Sequence, residues 1–255
     1  MNDAGHDRLR PRVALMQPYL LPYIGYFMLI HCADLFIVYD DVKWIKNGWI
    51  NRNRMLYRGK AKWVTLSVKK RSTYDLINQF EISETGKSND DFLRFVHELY
   101  VGSPFFEQVF PIIERIFSNT QRNLSRFIIA SFKAIMGHLG LERPLMVSSE
   151  LQQTPGLSGQ DRVLDICRRV GAREYVNPVG GRNLYSHEDF ENAGVKLMFI
   201  KPRLREYPQF GEPFVTGLSI VDVLMFNSPQ RVKALLKEYE LLSPPMLTDE
   251  SGGLG

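Results

Sequence analysis

The 255-residue chain contains only two cysteines, Cys32 and Cys167, which excludes a disulfide-stapled scaffold. Both sit in apolar, helix-like surroundings that suit core thiols. No His/Cys cluster has zinc spacing, and no metal ligand set is read from the sequence. No apolar run reaches the roughly 18 residues that span a bilayer, so no membrane insertion is expected. The first residues lack an apolar signal core, and the expectation is a cytoplasmic protein. A glycine-rich phosphate loop ending in Lys-Ser/Thr, a Rossmann glycine fingerprint and a nucleophile elbow are all missing. The net charge of +4 is mild. It suits an anionic substrate better than the basic stripe of a dedicated nucleic-acid binder.

The residues that are present have the make-up of an enzyme, 44% hydrophobic and 24% charged. The recurring unit is strand, polar loop, helix. Apolar runs at Arg12–Met16, Asp34–Tyr39, Trp63–Val68, Leu145–Ser149, Glu174–Asn177 and Val195–Ile200 read as strands, with a brief one at Tyr74–Ile82. Asn47–Arg58 reads as a loop or short helix. Helical spacing marks Asp90–Tyr100, Pro104–Phe117, Ser125–Leu139, Val163–Val170, a stretch from Glu188, Leu218–Met225 and Gln230–Leu242. The prediction is an α/β fold, a parallel sheet of about five strands with helices on both faces. One domain would cover 12–242 with a helical insert at about 88–142, flanked by flexible tails at 1–11 and 243–255.

Polar residues crowd the expected strand C-termini, where a parallel sheet binds its ligands. Asp40-Asp41 end the second strand, and Lys43, Lys46, Asn47, Asn51, Arg52, Asn53 and Arg54 follow. Two adjacent carboxylates on an extended strand should point to opposite faces, leaving one for the cleft. Gly180-Gly181 follow another strand end and let backbone N–H groups approach an anion, or form an ordinary turn. His187, beside that loop, is the better histidine for a general base than His31. Ser219 and Asp222 have capping-box spacing.

The stretch resembles the WbqC-like family, associated with bacterial O-antigen and other surface-polysaccharide gene clusters. The residues that carry the likeness are Gln17-Pro18-Tyr19, Pro22, Gly25-Tyr26, Asp40-Asp41-Val42 and Trp49-Ile50-Asn51-Arg52-Asn53. It continues through Trp63-Val64-Thr65, Gly171-Ala172, Gly180-Gly181, Tyr185, Tyr207-Pro208-Gln209 and Leu218–Asp222. A weaker likeness is to HIGH-type nucleotidyltransferases, with a HUP/Rossmann-like fold. Leu21–Tyr26 occupies the place of their histidine turn, with tyrosines where both histidines would stand. A phenol can hydrogen-bond phosphate but cannot neutralise its charge, which puts nucleotidyl transfer by that turn in doubt.

The resemblance implies a role in making surface polysaccharide, lipopolysaccharide included. The expected activity is a transferase that amidates the amino group of a nucleotide-linked sugar with a small acyl or aminoacyl group, for example glycyl. Asp40 or Asp41 would deprotonate the attacking ammonium or hold Mg²⁺ on a nucleotide, with His187 as a further base. Arg52, Arg54, Gly180 and Gly181 would hold the diphosphate. Tyr26, Trp49, Tyr185 and Tyr207 would stack a base or sugar, or pack the core. Gln17, Tyr19, Gly25, Asn51, Asn53, Gln209, Ser219 and Asp222 complete the substrate-binding set. No cofactor is implied beyond possible use of ATP with Mg²⁺. A charged tRNA, as acyl donor, is the one nucleic-acid partner considered. An adenylating ligase and a non-catalytic sugar-nucleotide-binding accessory protein are the alternatives.

Overall fold

The structure, a computed structural model, describes residues 11–83, 87–152 and 154–244. Its strands are β1 (Arg12–Met16), β2 (Leu35–Val38), β3 (Arg52–Tyr57), β4 (Lys60–Thr65), β5 (Leu145–Val147), β6 (Glu174–Pro178), β7 (Lys196–Pro202) and β8 (Tyr239–Leu242). Its α-helices are α1 (Ile24–Cys32), α2 (Lys87–Tyr100), α3 (Phe106–Phe117), α4 (Leu124–Leu139), α5 (Gly159–Arg169), α6 (His187–Asn192), α7 (Ile220–Phe226) and α8 (Pro229–Leu235).

Six strands form the main sheet in the order β5-β2-β1-β6-β7-β8. All neighbours are parallel except β7 and β8. Continuous apolar runs such as Val13–Leu15 and Phe36–Val38 are buried because helices cover both faces. One face meets α1, the helices α2–α4, α7 and α8 in a single apolar cluster. The other carries Val13, Leu15, Ile37, Tyr175 and Leu197 against α5 and α6. The chain leaves β1 in one direction through β2 to β5, then crosses to β6 on the other side. The β1/β6 boundary is therefore a topological switch point, and the loops beyond it diverge into a crevice.

The α/β reading stands, with four local corrections. Arg52–Tyr57 is a strand, and it pairs antiparallel with β4 as a separate hairpin. The Trp63–Val68 run thus belongs to that hairpin, outside the main sheet. A one-residue alternation with Asn53, Met55 and Val64 turned inward suits such a half-buried ribbon. Tyr74–Ile82 is no strand but a 3₁₀ turn at Ile77–Gln79 with isolated bridges Lys43–Leu76 and Val68–Ile82. The last helix stops at Leu235, and Tyr239–Leu242 adds the antiparallel sixth strand beside β7. Pairing with an open sheet edge outweighed the helical spacing there. The expected tails lie outside the described residues save for Pro11, Ser243 and Pro244.

Candidate functional site

The loop after β1 is shaped by residues far away in sequence. Asn53, turned inward from β3, donates its amide to the carbonyls of Leu20 and Leu21, 2.9 Å each. The Ser219 hydroxyl donates to Leu21 O at 2.7 Å while accepting from Val221 N as the cap of α7. These bonds hold Leu21 at a φ of 42°, a left-handed conformation a leucine rarely takes. Backbone bonds from Leu20 N to Trp49 O and from Ser219 N to Arg54 O close the frame.

The frame surrounds a cleft of about 230 Å³ lined by Tyr19, Pro22, Tyr23, Trp49, Asn53, Arg54 and Gly217. Arg54 forms one wall. Its guanidinium lies 5.4 Å from the Trp49 ring and 6.0 Å from Trp63, and donates to Gly217 O at 3.1 Å. Its Nε is buried with no hydrogen-bond partner. Gly217 has φ +68°, and a Cβ there would stand 2.9 Å from the Arg54 guanidinium. The opposite wall is phenolic. Burial pushes the Tyr19 and Tyr23 hydroxyls up from their usual range, so both are neutral donors at physiological pH. A Cβ on Gly25 would overlap the Tyr23 ring, so the glycine lets that ring fold across the start of α1. The cleft thus offers one fixed cation, two hydroxyl donors and flat aromatic faces, and among its lining residues none is acidic.

The carboxylate pair sits apart, at the ends of β2 and β5. The strand stops at Val38, so alternation no longer governs the two side chains, and both reach Ser148. This corrects the expectation of opposite faces. Asp40 is 1% exposed and accepts from the Ser125 and Ser149 hydroxyls at 3.1 Å and from Ser149 N at 3.2 Å, while the Ser148 hydroxyl, 3.3 Å away, has a single proton and lies nearer to Asp41. Asp41, half-buried, pairs with Arg162 from α5, which also donates to its backbone carbonyl at 3.0 Å. Arg162 in turn lies 5.0 Å over the Tyr39 ring, and burial lifts that phenol to about 12.

The remaining predicted residues divide. Tyr26 is buried, its hydroxyl on Gln17 O at 2.8 Å and its ring among Tyr19, Phe36 and Phe132, so it faces the core. Gln17 keeps a buried Oε1 with no partner at the end of β1. Asn51 donates to Leu66 O across the hairpin. Arg52 stacks 4.2 Å from the Trp63 ring and donates to Gly48 O. Tyr207 and Gln209 donate to Asp222 at 2.7 Å each, and Tyr100 donates to it at 3.0 Å. Asp222 is fully buried, and burial pushes its carboxyl up against those bonds. It anchors the 207–215 loop instead of completing a capping box.

Gly180 and Gly181 lie in a 3₁₀ turn, where a Cβ on Gly181 would overlap the Asn177 amide. Tyr185 shares a 3.0 Å hydroxyl contact with Tyr175. His187 pairs with Glu191 at 3.1 Å and lines a separate depression with Gly194 and Lys196. Among the described residues, no group of three or more His, Cys, Asp or Glu is placed to hold a metal ion. Tyr23, Trp63, Gly217, Ser148 and Arg162 complete the two clusters and were not in the expected set. Tyr23 and Trp63 lay within the motifs, but Arg162 and Asp41 are 121 residues apart and carry no local signal.

The chain matches the WbqC-like protein family over residues 17–234. It is 28% identical over 222 residues to the uncharacterized protein Rv1507c of Mycobacterium tuberculosis, covering 85% of this chain and 93% of that one. No solved structure matches it.

Proposed function

We propose a function that starts from one fact: this chain belongs to the WbqC-like protein family. It is a transferase of surface-polysaccharide biosynthesis that forms an amide on the amino group of a nucleotide-linked sugar. The acyl group is small, glycyl or similar. The observation that carries this reading is the cleft with Arg54 set against the Trp49–Trp63 pair and lined also by Tyr19 and Tyr23. A fixed guanidinium and two phenolic donors suit a diphosphate, and the indoles suit the base or sugar at its ends. An attacking amine must first lose its proton. Asp41 is the better base of the carboxylate pair, because Asp40 is buried and already accepts from the Ser125 and Ser149 hydroxyls and Ser149 N.

A ligand that binds the native state raises its melting temperature with the logarithm of saturation, about 2.7 kcal/mol at a hundredfold excess over Kd. A thermal-shift screen of nucleotide-linked 4-amino sugars against ATP is the test. A shift with amino sugars that Arg54→Ala removes is expected. A second reading, an adenylating enzyme, draws on the backbone bridge between Tyr23 and Ser219, which joins the first turn to the start of α7. A shift with ATP alone would favour it and overturn the transferase.

A further inference from the structure

The mild net charge conceals a sharp segregation. Of the 32 lysines and arginines, ten fall between Val42 and Tyr74, and none of the 28 aspartates and glutamates does. The rest of the chain keeps 22 cations against those 28 anions. The fold gathers the basic stretch into the β3–β4 hairpin and its flanking loops, beside the cleft. Lys43, Lys46, Arg58 and Lys70 are exposed there, and Arg52 donates to Gly48 O, which brings the Lys46 loop beside the ribbon face that carries Arg52 and Arg54. Lys60 and Lys62, paired with Tyr57 and Met55, alternate onto the ribbon's other face. Lys69 and Arg71 meet Glu81 and Asp75 at the edge of the patch.

The hairpin register adds a second observation. Arg54 stands opposite Trp63, and Arg52 opposite Thr65, on one face of the ribbon. Trp49 and Trp63 lie 4.9 Å apart, with Arg54 beside both and Arg52 against Trp63. The result is a pair of indoles flanked by two guanidinia that extends from the cleft wall toward solvent. Trp63, which does not line the cleft, is 43% exposed. A small nucleotide accounts for the part of that row at Trp49 and Arg54. It accounts neither for its continuation through Trp63 and Arg52 nor for the neighbouring Lys43 and Lys46. A polynucleotide strand with unstacked bases needs both elements, stacking surfaces along a cationic track. A membrane surface would use the lysines and leave the buried half of the row without a role.

We propose that this face of the hairpin holds the single-stranded 3′ end of an RNA whose terminal ribose carries the acyl group, with its tip entering the cleft. The inference rests on the transferase reading and names the donor class for it. The sugar nitrogen forms a bond to the acyl carbonyl carbon. The ester bond from that carbon to the ribose oxygen breaks, and the proton lost by nitrogen ends on the ribose hydroxyl. No oxidant or further reactant is needed.

The test uses the full chain and fluorescence anisotropy with a labelled single-stranded RNA ending in CCA, alongside phosphatidylglycerol vesicles. At about 50 mM salt the RNA should bind, and binding should weaken steeply as salt rises. Trp63→Ala should weaken it about tenfold by removing a stacking surface. The exposed pair Lys43→Glu/Lys46→Glu should weaken it further and flatten the salt dependence. No RNA binding at that salt, binding indifferent to both variants, or capture by vesicles alone would each overturn the proposal. The nucleotide-sugar thermal shift is measured in parallel. If it persists without RNA binding, only the donor assignment fails. RNA binding without that shift supports the surface and overturns the transferase reading.

Discussion

Asp222 and Ser219 are three residues apart, yet the structure gives them different loads. The Asp222 carboxylate is fully buried and takes hydrogen bonds from Tyr100 at the end of α2 and from Tyr207 and Gln209 in the 207–215 loop. Truncating it would leave the Tyr100 and Tyr207 hydroxyls without that acceptor, while Gln209 keeps Val215 O. Asp222→Ala should therefore cost about 3 kcal/mol, since each orphaned buried group costs about 1–3 kcal/mol and some will relax. Ser219→Ala removes one hydroxyl that bridges Leu21 O and Val221 N, and about 1 kcal/mol is expected. Urea denaturation of both variants checks the order, and a smaller loss for Asp222→Ala would deny it the anchoring role. A capping-box spacing was visible in the sequence. That the carboxylate turns away to bind two tyrosines was not, because Tyr100 is 122 residues distant.

At the scale of elements, α1 shows how a single hydrogen atom positions a wall of the cleft. Gly25 is buried inside the helix, and a Cβ there would meet the tip of the Tyr23 side chain, not backbone. The ring can swing away at little cost, and alanine at this second helical position gains less than the about 1 kcal/mol it gains over glycine in a helix interior. Gly25→Ala should thus leave the melting temperature unchanged or raised while displacing Tyr23 and weakening ligand binding. Equal loss of stability and binding would show that Gly25 serves packing alone.

The β3–β4 hairpin was the least legible element. Asn51-Arg52-Asn53-Arg54, between Ile50 and Met55, has the composition of a loop, and only pairing with Lys60–Thr65 makes a strand from Arg52 on. The same misreading hid the basic face, since a balance averaged over 255 residues gives +4 whichever residues carry it.

For the whole molecule, the main question is whether the hairpin and helices α2–α4 fold with the sheet. Ile50, Met55 and Val64 from the hairpin and Phe92, Ile113 and Phe127 from the helices lie in one apolar cluster with Ala14 and Phe36. Removing either part would expose that surface to water, so a single cooperative transition is expected. All three tryptophans, Trp44, Trp49 and Trp63, report on the hairpin region. Their fluorescence and the far-ultraviolet circular dichroism should change together in urea. A hairpin that melts earlier would mark it as a separate unit.

The sequence by itself determined the α/β class, the order of most elements and the family. Those follow from local periodicity, from turn residues such as Gly140, whose φ of 54° ends α4, and from motifs read within short windows. Only the tertiary structure decided which polar residues face the cleft. Asn53 turned inward to hold the first turn, Tyr26 sank into the core and Arg54 came to rest beside two indoles. Each outcome depends on a partner brought close by folding. A side chain's exposure is set by what packs against it, and that information is spread over the whole chain.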